Sequence, residues 1–492
     1  MKKITVSTKI GKCIRKVVLS FVVLLILGGI NLHATNSNKD IREIVDSEYK
    51  KLQQVLEALD YINKFYVDED KVKGDSLLYG AIKGMLSTLD PYSHFMDPEE
   101  YKESQSEMGG KYGGIGVEIT IRNDILTVVT PFEKSPAWYK GIRAGDRILK
   151  IDGVSTKNIT INEAVKKIRG QKGTSVVLTI LHEGEEKSED IEIVRDIIKI
   201  QSVWSYVIKD NIGYIRLRNF LESSSRDIEK VLMGFEKENV KAVIFDLRNN
   251  PGGLLNVSVD IADKFLPADK LIVYTQGRSK DSSRKYYSTS GNPYSETVPL
   301  ILLVNKGSAS ASEIVTGAVQ DNKRGVVIGT QTFGKASVQS VYTLGDGSGM
   351  RLTTAYYYTP SGKKIHEKGI TPDIIVEETQ PSDVIWKLRY YEYFINYAKK
   401  YIKDNQQLDS DNITIDDKII DEFIKEVRNK GFSISDSDVE RNKDFIKRDI
   451  KIEIVKALKG EEAADKCAVL EDEVVKRAVE LFKGYELLHT TR

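Results

Sequence analysis

Two short stretches hold the residue types that acyl transfer requires. One is Ser310-Ala311-Ser312-Glu313; the other is Gly334-Lys335-Ala336-Ser337-Val338-Gln339. A serine hydroxyl becomes a useful nucleophile only when a base takes its proton. Histidine is the usual base, but His33, His94, His182, His366 and His489 all lie outside the strand-loop-helix units that carry the Gly-rich loops, and no G-x-S-x-G elbow occurs. A lysine can substitute when burial lowers its pKa enough to leave the amine neutral. Lys335 follows an apolar strand and a Gly-bearing turn that could bury it. Gln339, four residues on, falls on the same face of a strand or a helix and could orient the amine. Spacing alone does not separate this from a solvated surface lysine.

The same stretch admits other readings. Gly329 to Lys335, GTQTFGK, fits a phosphate-binding loop, but Ala336 stands where the magnesium-binding hydroxyl belongs. The following ASVQSVYTL alternates like a strand, where a phosphate cradle needs a helix N-terminus. Ser310 to Glu313 also matches a capping box ahead of Ile314, Val315, Ala318 and Val319. A cap is compatible with chemistry, because a helix start offers free N–H groups to an oxyanion. Ser282/Lys285 and Ser361/Lys364 are short matches that follow no buried strand. The histidines are scattered and no H-E-x-x-H occurs, so no metal site is expected.

The elements that must position these residues run from about 198 to 378. KAVIFDLR, PLILLVN and RGVVIG are continuous apolar strands, and helical patterns follow the first two, which predicts an α/β fold with a buried, largely parallel sheet. Sites in such sheets gather beyond the carboxyl ends of strands. The loops Asn249-Asn250-Pro251-Gly252-Gly253 and Asn305-Lys306-Gly307-Ser308 stand there. Residues 106–197 are β-rich, with alternating strands and Asn-Asp and Asp-Gly turns. Residues 41–105 read as an N-terminal helical region, taken as a packing or dimerising arm. Residues 382–492 read as a charged C-terminal helical extension without a visible catalytic constellation.

The chain has 492 residues, and Lys plus Arg (73) nearly balances Asp plus Glu (72), which argues against nucleic acid as a partner. The start is basic, Val17 to Ile30 is apolar and uncharged, and a small residue follows at Ala34. Residues 1–34 therefore read as an export signal, with an uncleaved membrane anchor as the alternative. Cys13 and Cys467 are the two cysteines, so no disulfide framework exists. Export without disulfides suits the bacterial cell envelope, with a periplasmic location.

SASASEI, FGKASVQ, DLRNNPGGLL, IGYIRLRNF, GIGVEI followed by SPAWYKGIRAGDRILKIDG, and TPSGKKIHEKGITPDI occur in one order over about residues 41–378. In these motifs the chain resembles the carboxyl-terminal processing (tail-specific) proteases; residues 382–492 fall outside the match. The resemblance implies a crotonase-like protease core with an inserted PDZ domain and a Ser/Lys endopeptidase needing no cofactor. By it, Ser310 would be the nucleophile, Lys335 the general base and Gln339 its orienting partner. The N–H of Ala311 and one from Gly252 or Gly253 would form the oxyanion hole. Gly113, Gly114, Ile115, Gly116 and Val117 would bind a substrate's terminal carboxylate, and Arg169 would sense that carboxylate or touch the protease core. The substrates would be envelope proteins or peptides held by their C-termini. A non-catalytic PDZ scaffold is the rival reading; an acyl-CoA enzyme on the same core is a weaker one.

Overall fold

The structure, a computed structural model, describes residues 38–132, 134–182, 184–289, 293–405 and 413–490. Residues 1–34, read as an export signal, lie outside the described residues, as does Cys13 within them. Among the described residues no helix is long and apolar enough to cross a membrane. The chain divides into two units, Met1–Met85 and Leu86–Arg492. In the first, Asn38–Phe65 is one helix of 28 residues that leaves Leu52, Val55, Leu56 and Phe65 exposed.

The second unit is built on a six-stranded sheet. Its order is Val203–Ile208, Ile212–Leu217, Ala242–Asp246, Leu300–Val304, Val326–Gly329 and Ile374–Ile375. The first pair is antiparallel and every later pair is parallel. Ala242–Asp246 and Leu300–Val304 are buried along their whole length, as strands covered on both faces must be. Alternate residues serve the two faces. Val243, Phe245, Leu302 and Val304 pack with the helices Ser224–Lys237, Leu255–Asp263 and Ala311–Asp321. Ile244, Ile301, Leu303 and Ile328 pack with Val474, Val475, Ala478 and Phe482 of the helix Glu473–Thr490. The last helix of the region read as an extension is thus one face of this core.

A second sheet stands beside the first. Gly349–Tyr358 pairs with Ser337–Thr343, with Leu271–Gly277 and with the short strand His94–Met96. That last pairing brings the turn Asp90–Ser93, from the region read as helical, to this second sheet. The β-rich module has its own core of Ile115, Leu126, Val128, Ile148, Val176 and Ile180. Its strand Val117–Arg122 is an edge, paired among the described residues only with Ile125–Pro131. The helices of residues 383–459 form a fourth core around Phe394, Phe423, Ile446 and Ile450.

Candidate active site

Ser310 stands between a buried strand and a buried helix. Leu300–Val304 ends, a short loop crosses, and Ala311–Asp321 begins at Ser310. The backbone of Ser310 has φ 54° and ψ −111°, a conformation that costs a non-glycine residue of order 1–3 kcal/mol. The strain persists because its polar groups are over-determined. Its N–H donates to Glu313 Oε2 at 2.9 Å. Its carbonyl accepts from Glu313 N at 2.8 Å, Ile314 N at 3.0 Å and Tyr357 Oη at 2.9 Å. Ser310 and Glu313 thus take up the expected capping-box arrangement, with the Glu313 side chain accepting the Ser310 N–H and the Glu313 N–H donating to the Ser310 carbonyl.

Lys335 is tied to the same two residues. Its N–H donates to Glu313 Oε2 at 2.9 Å, and its carbonyl accepts from Tyr357 Oη at 2.7 Å. Glu313 is fully buried and also accepts from Gly334 N (2.7 Å) and Thr332 Oγ1 (2.6 Å). Burial holds the Tyr357 phenol well above its ordinary pKa, so it remains a donor. One carboxylate and one phenol therefore set the backbone of both residues. Along the sequence nothing marks Tyr357 for this role, and Glu313 shows only a helix-capping signal.

The Lys335 amine is half-buried. Burial, and then the Arg351 guanidinium, lower its pKa, against the pull of Asp90. Its Nζ lies 4.7 Å from the Tyr92 ring centroid, and among the described residues it makes no hydrogen bond or ion pair. Gln339 does not hold this amine. Its Nε2 donates to Thr353 Oγ1 at 3.1 Å, after a register shift between Val338 and Gln339 in the strand pair. Such a bulge re-aims a side chain, which spacing alone could not reveal. His366 Nδ1 accepts from Ala336 N at 3.4 Å, and His366 is not among the residues lining the cleft.

Ser310, Ala311, Gly252, Gly253, Lys335 and Gln339 line one cleft of about 530 Å³. Gly252 has φ 107°, and a Cβ there would lie 2.9 Å from Ser310 Cβ and 3.0 Å from Ala311 N. No side chain fits between that loop and the serine. The two glycines differ in their N–H groups. Gly252 N donates to Asn250 Oδ1 at 2.9 Å, whereas Gly253 N and Ala311 N have no acceptor among the described residues. The loop is fixed further back by Arg248, whose guanidinium meets Asp246 (2.7 Å), Glu378 (3.1 Å) and Asp472 (3.0 Å). Burial works to raise the Asp246 pKa, but Arg248 overrides it and holds the carboxyl below its ordinary value.

In the β-rich module, Gly113 and Gly114 belong to the strand Lys111–Gly114, paired with Asp196–Lys199. Ile115 and Gly116 use their carbonyls internally, on Ala137 N (2.8 Å) and Phe132 N (2.9 Å), while their N–H groups have no acceptor among the described residues. Val117 opens the free edge strand. Arg169 pairs with Glu107, which lines the cleft, and lies 4.4 Å over the Tyr112 ring. Among the described residues no group of His, Cys, Asp and Glu is arranged to hold a metal ion.

Residues 211–376 match peptidase family S41, residues 127–181 match a PDZ domain, and residues 23–100 match the N-terminal domain of the activating protease CtpB. The chain is 41% identical over 370 residues to a carboxy-terminal-processing protease of Bartonella bacilliformis, covering 73% of this chain and 82% of that one. It is 37% identical over 338 residues to the carboxy-terminal processing protease CtpB of Bacillus subtilis, covering 68% and 69%. Among solved structures, the photosystem II D1 C-terminal processing protease is 28% identical, with a TM-score of 0.40, covering 65% of this chain and 92% of that one. This chain belongs to peptidase family S41, as a carboxyl-terminal processing serine endopeptidase with a PDZ domain.

Proposed function

We propose that Ser310 is the nucleophile and Lys335 its general base, acting on protein tails of the bacterial cell envelope. The observation that carries this reading is the cleft that Ser310 and Lys335 share, with both backbones held by Glu313 and Tyr357. Because the backbones are pinned, only the Lys335 side chain has to turn from the Tyr92 ring toward the hydroxyl. Neutral Lys335 then takes the Ser310 proton as Oγ attacks the peptide carbonyl. The oxyanion develops against the N–H groups of Ala311 and Gly253, which have no acceptor among the described residues; removing one such donor costs about 2.7–4 kcal/mol in a well-studied serine protease. Gly252 serves by close approach, its own N–H being occupied by Asn250. Lys335 returns the proton to the leaving amine. It then activates the water that releases the acyl group, and no cofactor takes part. Gln339 limits the base's swing from its seat on Thr353.

Gly113 to Val117 receive the terminal carboxylate, and the edge strand Val117–Arg122 pairs with the residues upstream of it. Arg169, through Glu107, relates that event to the cleft wall. Residues 1–34 direct export or anchor the chain, and the exposed apolar face of Asn38–Phe65 suits a second copy of this chain.

The test is cleavage of an unstructured tail peptide, followed by mass spectrometry. Ser310→Ala and Lys335→Ala should each abolish fragments while leaving the circular dichroism spectrum intact. Undiminished cleavage by purified Ser310→Ala would refute the assignment. Amidating the peptide's C-terminus should weaken binding to the Ser310→Ala protein; equal binding of both forms would remove the carboxylate-capture part.

A further inference from the structure

The Lys335 ammonium rests on the face of Tyr92, not on an acceptor. We propose that Tyr92, braced by Asp90, is a positioning residue that holds the charged form of Lys335 aside from Ser310, so that the ring face sets the cost of making the free base. The inference rests on the Ser/Lys reading above and adds a residue to it from outside the motifs that carry the family resemblance.

The ring is not there by chance rotation of a loose loop. Asp90 Oδ1 accepts the N–H of Tyr92 and of Ser93, each at 2.8 Å, and Asp90 Oδ2 accepts Ser93 Oγ at 2.8 Å. Ser93 Oγ accepts in turn from Thr353 N at 3.0 Å. The strand that follows, His94–Met96, is laddered to Arg351, Met350 and Gly349. Thr353 also receives Gln339 Nε2. One hydrogen-bonded clasp thus fixes the ring under the amine and the amide that lines the same cleft.

An aromatic face attracts an ammonium through its quadrupole and offers little to a neutral amine. The ring therefore favours the form of Lys335 that cannot act as a base. Arg351 opposes the ammonium from the strand Gly349–Tyr358, and Asp90 favours it from the turn. Glu313 and Tyr357 hold its backbone, Glu107 lines the cleft, and His366 touches the next residue's N–H. Among these, Tyr92 is the side chain stacked against Nζ itself.

The experiment measures kcat/KM for a quenched tail peptide from acidic to alkaline pH with the full chain. Replacing the ring by an aliphatic group, Tyr92→Leu, should move the acidic limb to lower pH by about half a unit to one unit. Tyr92→Phe keeps the ring face and should leave the limb where the wild type has it. A Tyr92→Leu limb that superimposes on the wild type overturns the proposal, as does a Tyr92→Phe limb that moves equally far. Should Tyr92→Leu fail to fold by circular dichroism, Asp90→Asn serves in its place. It loosens the clasp and removes a charge favouring the ammonium, so its limb should also move to lower pH; an unmoved limb overturns the proposal. Ser310→Ala run alongside separates the two failures, because turnover by that variant would sink the Ser/Lys reading instead.

Discussion

Ser310 and Lys335 are joined through one side chain: Glu313 Oε2 accepts the N–H of each, at 2.9 Å in both cases. Tyr357 repeats the link from the other side of the backbone, donating toward both carbonyls at 2.9 and 2.7 Å. On the proposed assignment, the distance from nucleophile to base is thereby delegated to two buried groups that take no part in the chemistry.

Glu313→Gln should therefore damage catalysis more than binding. The amide keeps one acceptor oxygen but turns an NH₂ group toward N–H donors, and hydrogen bonds to a charged acceptor contribute about 1.5–3 kcal/mol each. We expect kcat to fall by about a hundredfold or more, a loss of about 2.7 kcal/mol or more, with KM changed little and the melting temperature lowered. A variant with wild-type kcat would show that the clamp does not set the geometry.

Arg351 supplies a prediction of opposite sign to that for Tyr92. Its charge helps lower the Lys335 pKa, after burial. Arg351→Met removes that repulsion, so Lys335 should hold its proton to higher pH. The acidic limb of kcat/KM should move toward alkaline pH and activity at neutrality should drop. A limb displaced toward acid would contradict the assignment of Lys335 as the base.

The C-terminal helix should prove inseparable from the protease core. Val474, Val475 and Phe482 are buried against the central sheet, and burying such side chains contributes about 1.5–3 kcal/mol each. Truncation after Glu471 should leave no soluble, folded enzyme, which expression and circular dichroism would reveal. The milder Asp472→Asn removes one of three acidic partners of the buried Arg248. Because Asp472 is part-exposed, we expect a urea-unfolding loss of only about 1–2 kcal/mol. Unchanged stability in both variants would mean that the region is a true appendage.

Much of this protein is legible along the chain because the signals are local. The apolar strands, the Gly-bearing loops after them and the Ser310 and Lys335 motifs all lie within short windows whose periodicity or turn chemistry speaks for itself. Even the rejection of a phosphate loop at Lys335 is local: the residues after it alternate, and Ser337–Thr343 is a strand. Arg169 marks where local reading stops: carboxylate sensor, core contact and solvated surface charge look alike along the chain, and only the fold pairs it with Glu107.

Tertiary structure decided what depends on partners distant in sequence. Gln339 was expected to hold the amine, but a bulge hands it to Thr353. Gly252 and Gly253 read alike, until Asn250 takes the N–H of the first. The apolar stripe of Glu473–Thr490 announces a buried face without saying that the central sheet lies beneath it. Periodicity reports that a side chain leaves water; which group it then meets depends on how the whole chain closes.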